Sequence, residues 1–172
     1  MKRALMLVLL PVLMTGLALA GASGASAATV VHVSGTDLGP DAGTTACQPV
    51  NDSGTLLTCT TPDFATKYTG DLTGAISSNF TWTINCTSNR ITGHGIETFT
   101  GSVADVGSGT LTWATKFHAR FDCSTQTLSN LVGSATIMSG TAGLTGLHGR
   151  LTFIGETYSG ILTRRSPNPQ VT

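Results

Sequence analysis

The sequence carries little charge. Only 10% of its residues are Asp, Glu, Lys or Arg, and nine basic residues are matched by nine acidic ones. Surfaces that bind nucleic acid or anionic lipid depend on clustered Lys and Arg, and the sequence contains no such cluster. We therefore predict no nucleic-acid partner and, once the amino-terminal segment described below is removed, no membrane partner.

Strong helix formers are also scarce. Glu, Lys, Gln and Met are few, and no stretch of ten residues shows the apolar spacing of a helix. Thr instead makes up about a fifth of the chain after residue 27, and the sequence contains 21 Gly. Thr favours strands and Gly allows tight turns, so the composition predicts an all-β protein. Disorder, the alternative for such a composition, is disfavoured by the well-spaced Phe, Trp, Ile and Leu residues.

Several motifs that carry chemistry are missing. No Gly-x-Ser-x-Gly elbow occurs, and the glycine-rich stretch 140–149 lacks the Lys-Ser/Thr of a phosphate-binding loop. That stretch is interpreted as a tight turn. The four histidines are His32, His94, His118 and His148. No two of them have metal-ligand spacing, so we predict no metal and no cofactor. Whether the protein is an enzyme stays open, because catalytic residues meet only in three dimensions.

The amino-terminal segment is typical of an export signal. Lys2 and Arg3 precede an apolar run over residues 4–20, and Ala25-Ser26-Ala27 fits a signal-peptidase site. Residues 18–20 offer an alternative site, and a membrane anchor is disfavoured because no basic flank follows the run. We expect a signal peptide over 1–27, one secreted, extracellular domain over 28–163 and a flexible tail over 164–172.

The cysteine count is even, which in an exported protein indicates disulfides. Four cysteines allow three pairings, and we favour Cys47–Cys59 and Cys86–Cys123. The first would close a short polar loop as a hairpin clip, and the second would join the ends of two strands. A zinc site is the less favoured alternative, because the sequence has no Cys-x-x-Cys.

Alternation of apolar and polar residues predicts about eight strands. The clearest is 110–122, where Trp113, Phe117 and Phe121 share one face and Lys116 and His118 share the other. Further strands are predicted over 29–34, 55–60, 68–76, 80–85, 96–103, 131–138, 151–154 and 157–162, and 35–52 is expected to be irregular. Such a series predicts an antiparallel barrel or sandwich.

The last third of the chain contains a glycine-rich turn that resembles a known pattern. Residues 140–151, Gly-Thr-Ala-Gly-Leu-Thr-Gly-Leu-His-Gly-Arg-Leu, together with 95–103 and 155–160, are similar to the turns and strands of allene-oxide-cyclase-like barrels, a group that includes dirigent proteins. The likeness covers roughly 66–163 and implies a calycin-like barrel of eight strands with an inner cavity. Ala142 stands where the motif has its second glycine, the hairpin with Cys47 and Cys59 is not part of the pattern, and no catalytic residue can be carried over.

The candidate ligand-binding residues are Trp82, Trp113, His118 and Arg120. The two tryptophans would either stack on a flat ligand or pack in the core. The charged row, which is the polar face of strand 110–122 and contains His118 and Arg120, would either be exposed to solvent or line a pocket. Three functions stay open: a secreted barrel that binds a small apolar or amphipathic molecule, a structural or interaction protein of the cell surface, and a cyclase or isomerase that acts by confining its substrate. We favour the first, with a small-molecule ligand, and the oligomeric state is left open.

Overall fold

The computed structural model describes residues 28–164, which form nine strands and one short 3-10 helix at Ala142–Leu144. The predicted signal peptide and all but the first residue of the predicted tail lie outside the described residues. The strands are β1 (Thr29–Ala42), β2 (Ala46–Pro49), β3 (Leu56–Gly70), β4 (Leu72–Asn85), β5 (Arg90–Val103), β6 (Gly107–Asp122), β7 (Thr127–Gly140), β8 (Leu147–Ile154) and β9 (Thr157–Arg164).

The sheet closes on itself. Its strand order is β1-β9-β8-β7-β6-β5-β4-β3-β2, and β1 also pairs with β3. Eight antiparallel strands therefore form a ring, and β2 is a ninth strand that pairs only with the first half of β3. This arrangement confirms the predicted all-β antiparallel barrel. Within residues 28–164, no helix has the length and apolar character needed to cross a membrane.

Two strand predictions need correction. The region 35–52 is not irregular: β1 continues to Ala42 because its second half pairs with β3, and β2 follows. The predicted strand 68–76 is two strands joined by a tight turn. Gly70 adopts a φ of 100°, a left-handed conformation that suits glycine, so β3 ends there and β4 begins at Leu72.

One end of the barrel is closed by aliphatic side chains. The 3-10 helix places Leu144 against this end, and the residues around it are almost fully buried. Above them lies a layer of aromatic rings in edge-to-face and stacked contact. The aliphatic layer consists of Leu72, Val103, Leu111, Leu144, Leu147 and Leu162, and the aromatic layer of Tyr68, Phe99, Trp113, Phe153 and Tyr158.

The opposite end carries both disulfides, with the predicted pairing. Cys47 and Cys59 are direct partners on β2 and β3, with an S–S distance of 2.07 Å. Cys86 and Cys123 follow β4 and β6, and their sulfurs are 1.98 Å apart. Antiparallel strands bring these segments to the end remote from Leu144. The crosslinks therefore brace the open end of the barrel.

Candidate functional site: a cavity in the open half of the barrel

A cavity of about 690 Å³ occupies the open half of the barrel. Most of its wall is apolar, because the inward positions of β3 to β8 carry aromatic and aliphatic side chains here. The rings are Phe64, Tyr68, Phe80, Trp82, Phe117, Phe121 and Phe153, and the aliphatic residues are Ile84, Ile91, Leu128 and Leu131. Around the mouth lie Gly39, Thr45, Cys47, Asn130 and Gly155. The rim braced by the Cys47–Cys59 disulfide is thus part of the site.

Small residues on the inner face make room for the rings. Gly93 on β5 is the direct neighbour of Phe117 on β6, and a Cβ at Gly93 would lie 2.3 Å from Phe117 Cε1. Such a contact is far below van der Waals distance, so any other residue would force the ring to move. Phe117 in turn packs against Phe80, with ring centroids 5.8 Å apart.

A buried carboxyl group lies on this otherwise apolar wall. Glu97, on β5, is 3% exposed and lines the cavity. Its Oε2 accepts hydrogen bonds from Trp113 Nε1 and Thr115 Oγ1, both on β6. Burial raises the pKa of Glu97, the two hydrogen bonds lower it, and the charge of Asp37 raises it further. Groups with such perturbed titration cluster at functional sites.

A second carboxyl group, Asp37 on β1, also lines the cavity. Its Oδ1 accepts hydrogen bonds from the Thr66 hydroxyl and the Gly39 backbone N–H. Burial raises the pKa of the Tyr68 phenol, and the charges of Glu97 and Asp37 raise it further. Both carboxyl groups therefore act on the same part of the cavity. A third, Glu156, is exposed at the mouth.

The structure does not bring the four predicted ligand residues together. Trp82 lines the cavity, whereas Trp113 is fully buried beneath it, where its indole N–H donates to Glu97. His118 and Arg120 are exposed on the outer face of β6, because they alternate with inward-facing Ala119 and Phe121. Neither His118 nor Arg120 lines the cavity, and His118 instead lines a groove on the outer face of the barrel.

Sequence reasoning missed Glu97 and Asp37 as site residues. The sequence did contain one indication of Glu97: it is a single acid that shares a face of β5 with Phe99, and that face is otherwise apolar. The partners of Glu97 were not visible as a motif, because Trp113 and Thr115 lie on the next strand. Among residues 28–164, no group of three His, Cys, Asp or Glu side chains is arranged to hold a metal ion.

Comparisons with known proteins give a likeness at the level of fold. No family matches the chain by sequence, and no curated protein is similar to it. A crystal structure of a protein of unknown function from the DUF3224 family of Shewanella oneidensis MR-1 is similar, with a TM-score of 0.55 and 12% identity. The likeness covers 81% of this chain and all of that one. It supports the all-β fold only, and nothing in it supports the allene-oxide-cyclase resemblance.

Proposed function

We propose that this protein is a binding barrel that holds a small apolar or amphipathic molecule in its open half. The observation that carries the proposal is the cavity of about 690 Å³, walled by seven aromatic rings and reached from one end. Sites for small molecules have this size and character, with a few polar groups among apolar walls. Two disulfides at the rim would hold the mouth in shape without a ligand, which lowers the ordering cost of binding.

We further propose that the protein is secreted and works outside the cell. The export-like segment over residues 1–27 supports this, and so do two disulfides, which persist in oxidising compartments.

A cavity-filling variant tests binding. Ile91 and Ile96 lie on the same strand, but Ile91 faces the cavity and Ile96 is 51% exposed on the outside. Ile91→Phe should weaken binding of a polarity-sensitive naphthalene dye about tenfold, a loss of about 1.4 kcal/mol. Ile96→Phe, the matched control, should leave it unchanged. Dye binding that neither substitution alters, in folded variants, would place the dye elsewhere and contradict the proposal.

One observation favours a second function, catalysis by a cyclase or isomerase. Glu97 presents a carboxyl group with a raised pKa inside a confining cavity, which suits proton transfer to or from a held substrate. The test is to incubate any ligand that co-purifies with the protein with wild type and with Glu97→Gln. Conversion by wild type alone supports catalysis, and an unchanged ligand in both contradicts it.

A further inference from the structure

We propose that the ligand is a hydrophobic organic cation: an amine or quaternary ammonium group on an apolar body. The inference rests on the proposed function and names the ligand class for the same cavity. Its basis is the charge of the wall. Three carboxyl groups line the cavity, Asp37, Glu97 and Glu156, and no Lys, Arg or His among the described residues does so.

The excess of negative over positive groups in the wall is significant because Glu97 is buried. A buried carboxylate without a counter-charge is costly, and Glu97 is 3% exposed. The groups that face it are the indole of Trp113, the hydroxyl of Thr115, the carboxyl of Asp37 and the phenol of Tyr68. None of them carries a positive charge. A cation in the cavity would supply the counter-charge that the wall lacks.

The aromatic wall suits the same ligand. Phe80 is at the centre of a ring cluster, with centroid distances of 5.3 Å to Phe64, 5.8 Å to Phe117 and 6.5 Å to Trp82. Ring faces attract cations, most strongly when water is excluded, and clustered rings are the usual way to hold quaternary ammonium groups. The same rings would contact the apolar body of the ligand. An anion such as a fatty acid would meet the carboxyl groups of Glu97 and Asp37 with no basic partner.

Three probes with one alkyl chain separate these possibilities. Decyltrimethylammonium, decanol and decanoate should each be titrated by calorimetry, below their micelle-forming concentrations, at about pH 8, where decanoate is ionised. The quaternary ammonium group carries its charge at every pH. We expect the ammonium compound to bind at least about tenfold more tightly than decanoate, with decanol between them. Glu97→Gln should remove most of that preference, while Asp105→Asn, at the closed end, should keep it.

The outcomes distinguish the cation inference from the proposal that the protein is a binding barrel. Equal binding of all three probes, or tighter binding of decanoate, would overturn the cation inference and leave the binding barrel standing. No binding of any probe would overturn both. A preference that survives in a folded Glu97→Gln variant would show that Glu97 is not its source and would overturn the inference as argued.

A different observation carries a second inference, on the outer face of the barrel. A groove of about 470 Å³ crosses β5 to β8 and is lined by Arg90, Lys116, His118 and Arg150. Arg90 lies directly opposite Arg120, on β5 and β6. Like charges in such positions repel. The only outward acid on these four strands is Asp122, whose carboxylate already accepts hydrogen bonds from Ser124 and Thr125.

We infer that this groove binds an anion with phosphate or sulfate oxygens, which guanidinium groups hold by paired hydrogen bonds. Inorganic polyphosphate should bind at low salt and be released as salt rises. The Arg90→Gln/Arg150→Gln double variant should bind about tenfold more weakly, and Lys67→Gln, outside the groove, should bind as wild type does. Orthophosphate, if it binds as tightly as the polymer, identifies a site for one phosphate group. No binding of either probe, or an equal loss in Lys67→Gln, would overturn the inference.

Discussion

At the residue scale, Glu97 sets the chemical character of the interior. Its burial favours the neutral carboxyl group, and the negative charge of Asp37 acts in the same direction. The hydrogen bonds from Trp113 and Thr115 oppose this, because they stabilise the ionised group. The net effect is a carboxyl group that keeps its proton to higher pH than an exposed glutamate does.

Glu97 should make the empty protein less stable as pH rises. Between the ordinary glutamate pKa of 4.5 and the raised pKa in the folded state, the folded chain binds more protons than the unfolded chain. The free energy of unfolding therefore falls as pH rises through that window. Glu97→Gln removes the ionisation, so the variant should gain in melting temperature relative to wild type as pH increases. A difference between the two proteins that does not change from about pH 4 to about pH 8 would contradict the argument.

Tyr158 links β9 to the β3–β4 turn. Its hydroxyl accepts a hydrogen bond from the Leu72 backbone N–H at 2.8 Å and lies 3.1 Å from the Thr69 carbonyl oxygen, to which it donates. Tyr158→Phe leaves a buried N–H without its partner, which should lower the free energy of unfolding by about 1–3 kcal/mol in urea denaturation. Tyr68→Phe removes the same atom from a neighbouring ring, 5.4 Å away, whose side chain lines the cavity. The loss should be smaller there, and an equal loss would contradict the role given to Tyr158.

At the element scale, the disulfides tie down the strands that surround the mouth. Cys47–Cys59 clips β2, which pairs only with the first half of β3, across a separation of 12 residues. Cys86–Cys123 joins the β4–β5 and β6–β7 connections across 37 residues. Cross-linking limits the unfolded chain more when the closed loop is longer.

Removing the two disulfides separately should therefore lower the free energy of unfolding by different amounts. Replacing Cys86 and Cys123 by alanine should lower the free energy of unfolding by about 4 kcal/mol, and replacing Cys47 and Cys59 by about 3 kcal/mol, on the loop-entropy estimate. Urea denaturation of the two double variants measures the difference. If a double variant stays folded but no longer binds the dye, the main role of that disulfide is to hold the mouth of the cavity in shape. A larger cost for Cys47–Cys59 would contradict the loop argument.

Strand alternation predicted much of this architecture and little of the site. The inward face of β6, with Trp113, Phe117 and Phe121, was predictable because a period of two separates apolar from polar residues. The second half of β1 was not, because its pairing with β3 depends on ring closure between residues 33 positions apart in the chain, as for Thr36 and Thr69. Glu97 was hidden for a similar reason: its importance comes from its burial in the closed barrel and from hydrogen bonds donated by Trp113 and Thr115 on the neighbouring strand.

At the scale of the whole molecule, the barrel is divided along its axis. One half is filled by its own leucines and aromatic rings, around Leu144 and Trp113. The other half is open, walled by aromatic rings and held at its rim by two disulfides. The first half holds the larger buried core, and the second is the part that we propose binds a ligand.

Native mass spectrometry of the oxidised protein, purified without detergent, tests the binding claim most directly. The account predicts a mass four hydrogens below that of the reduced chain, as two disulfides require, together with a retained small molecule or one that is taken up when decyltrimethylammonium is added. A protein with both disulfides that carries no small molecule and takes up none of the probes would contradict the proposal that this barrel is a binding protein.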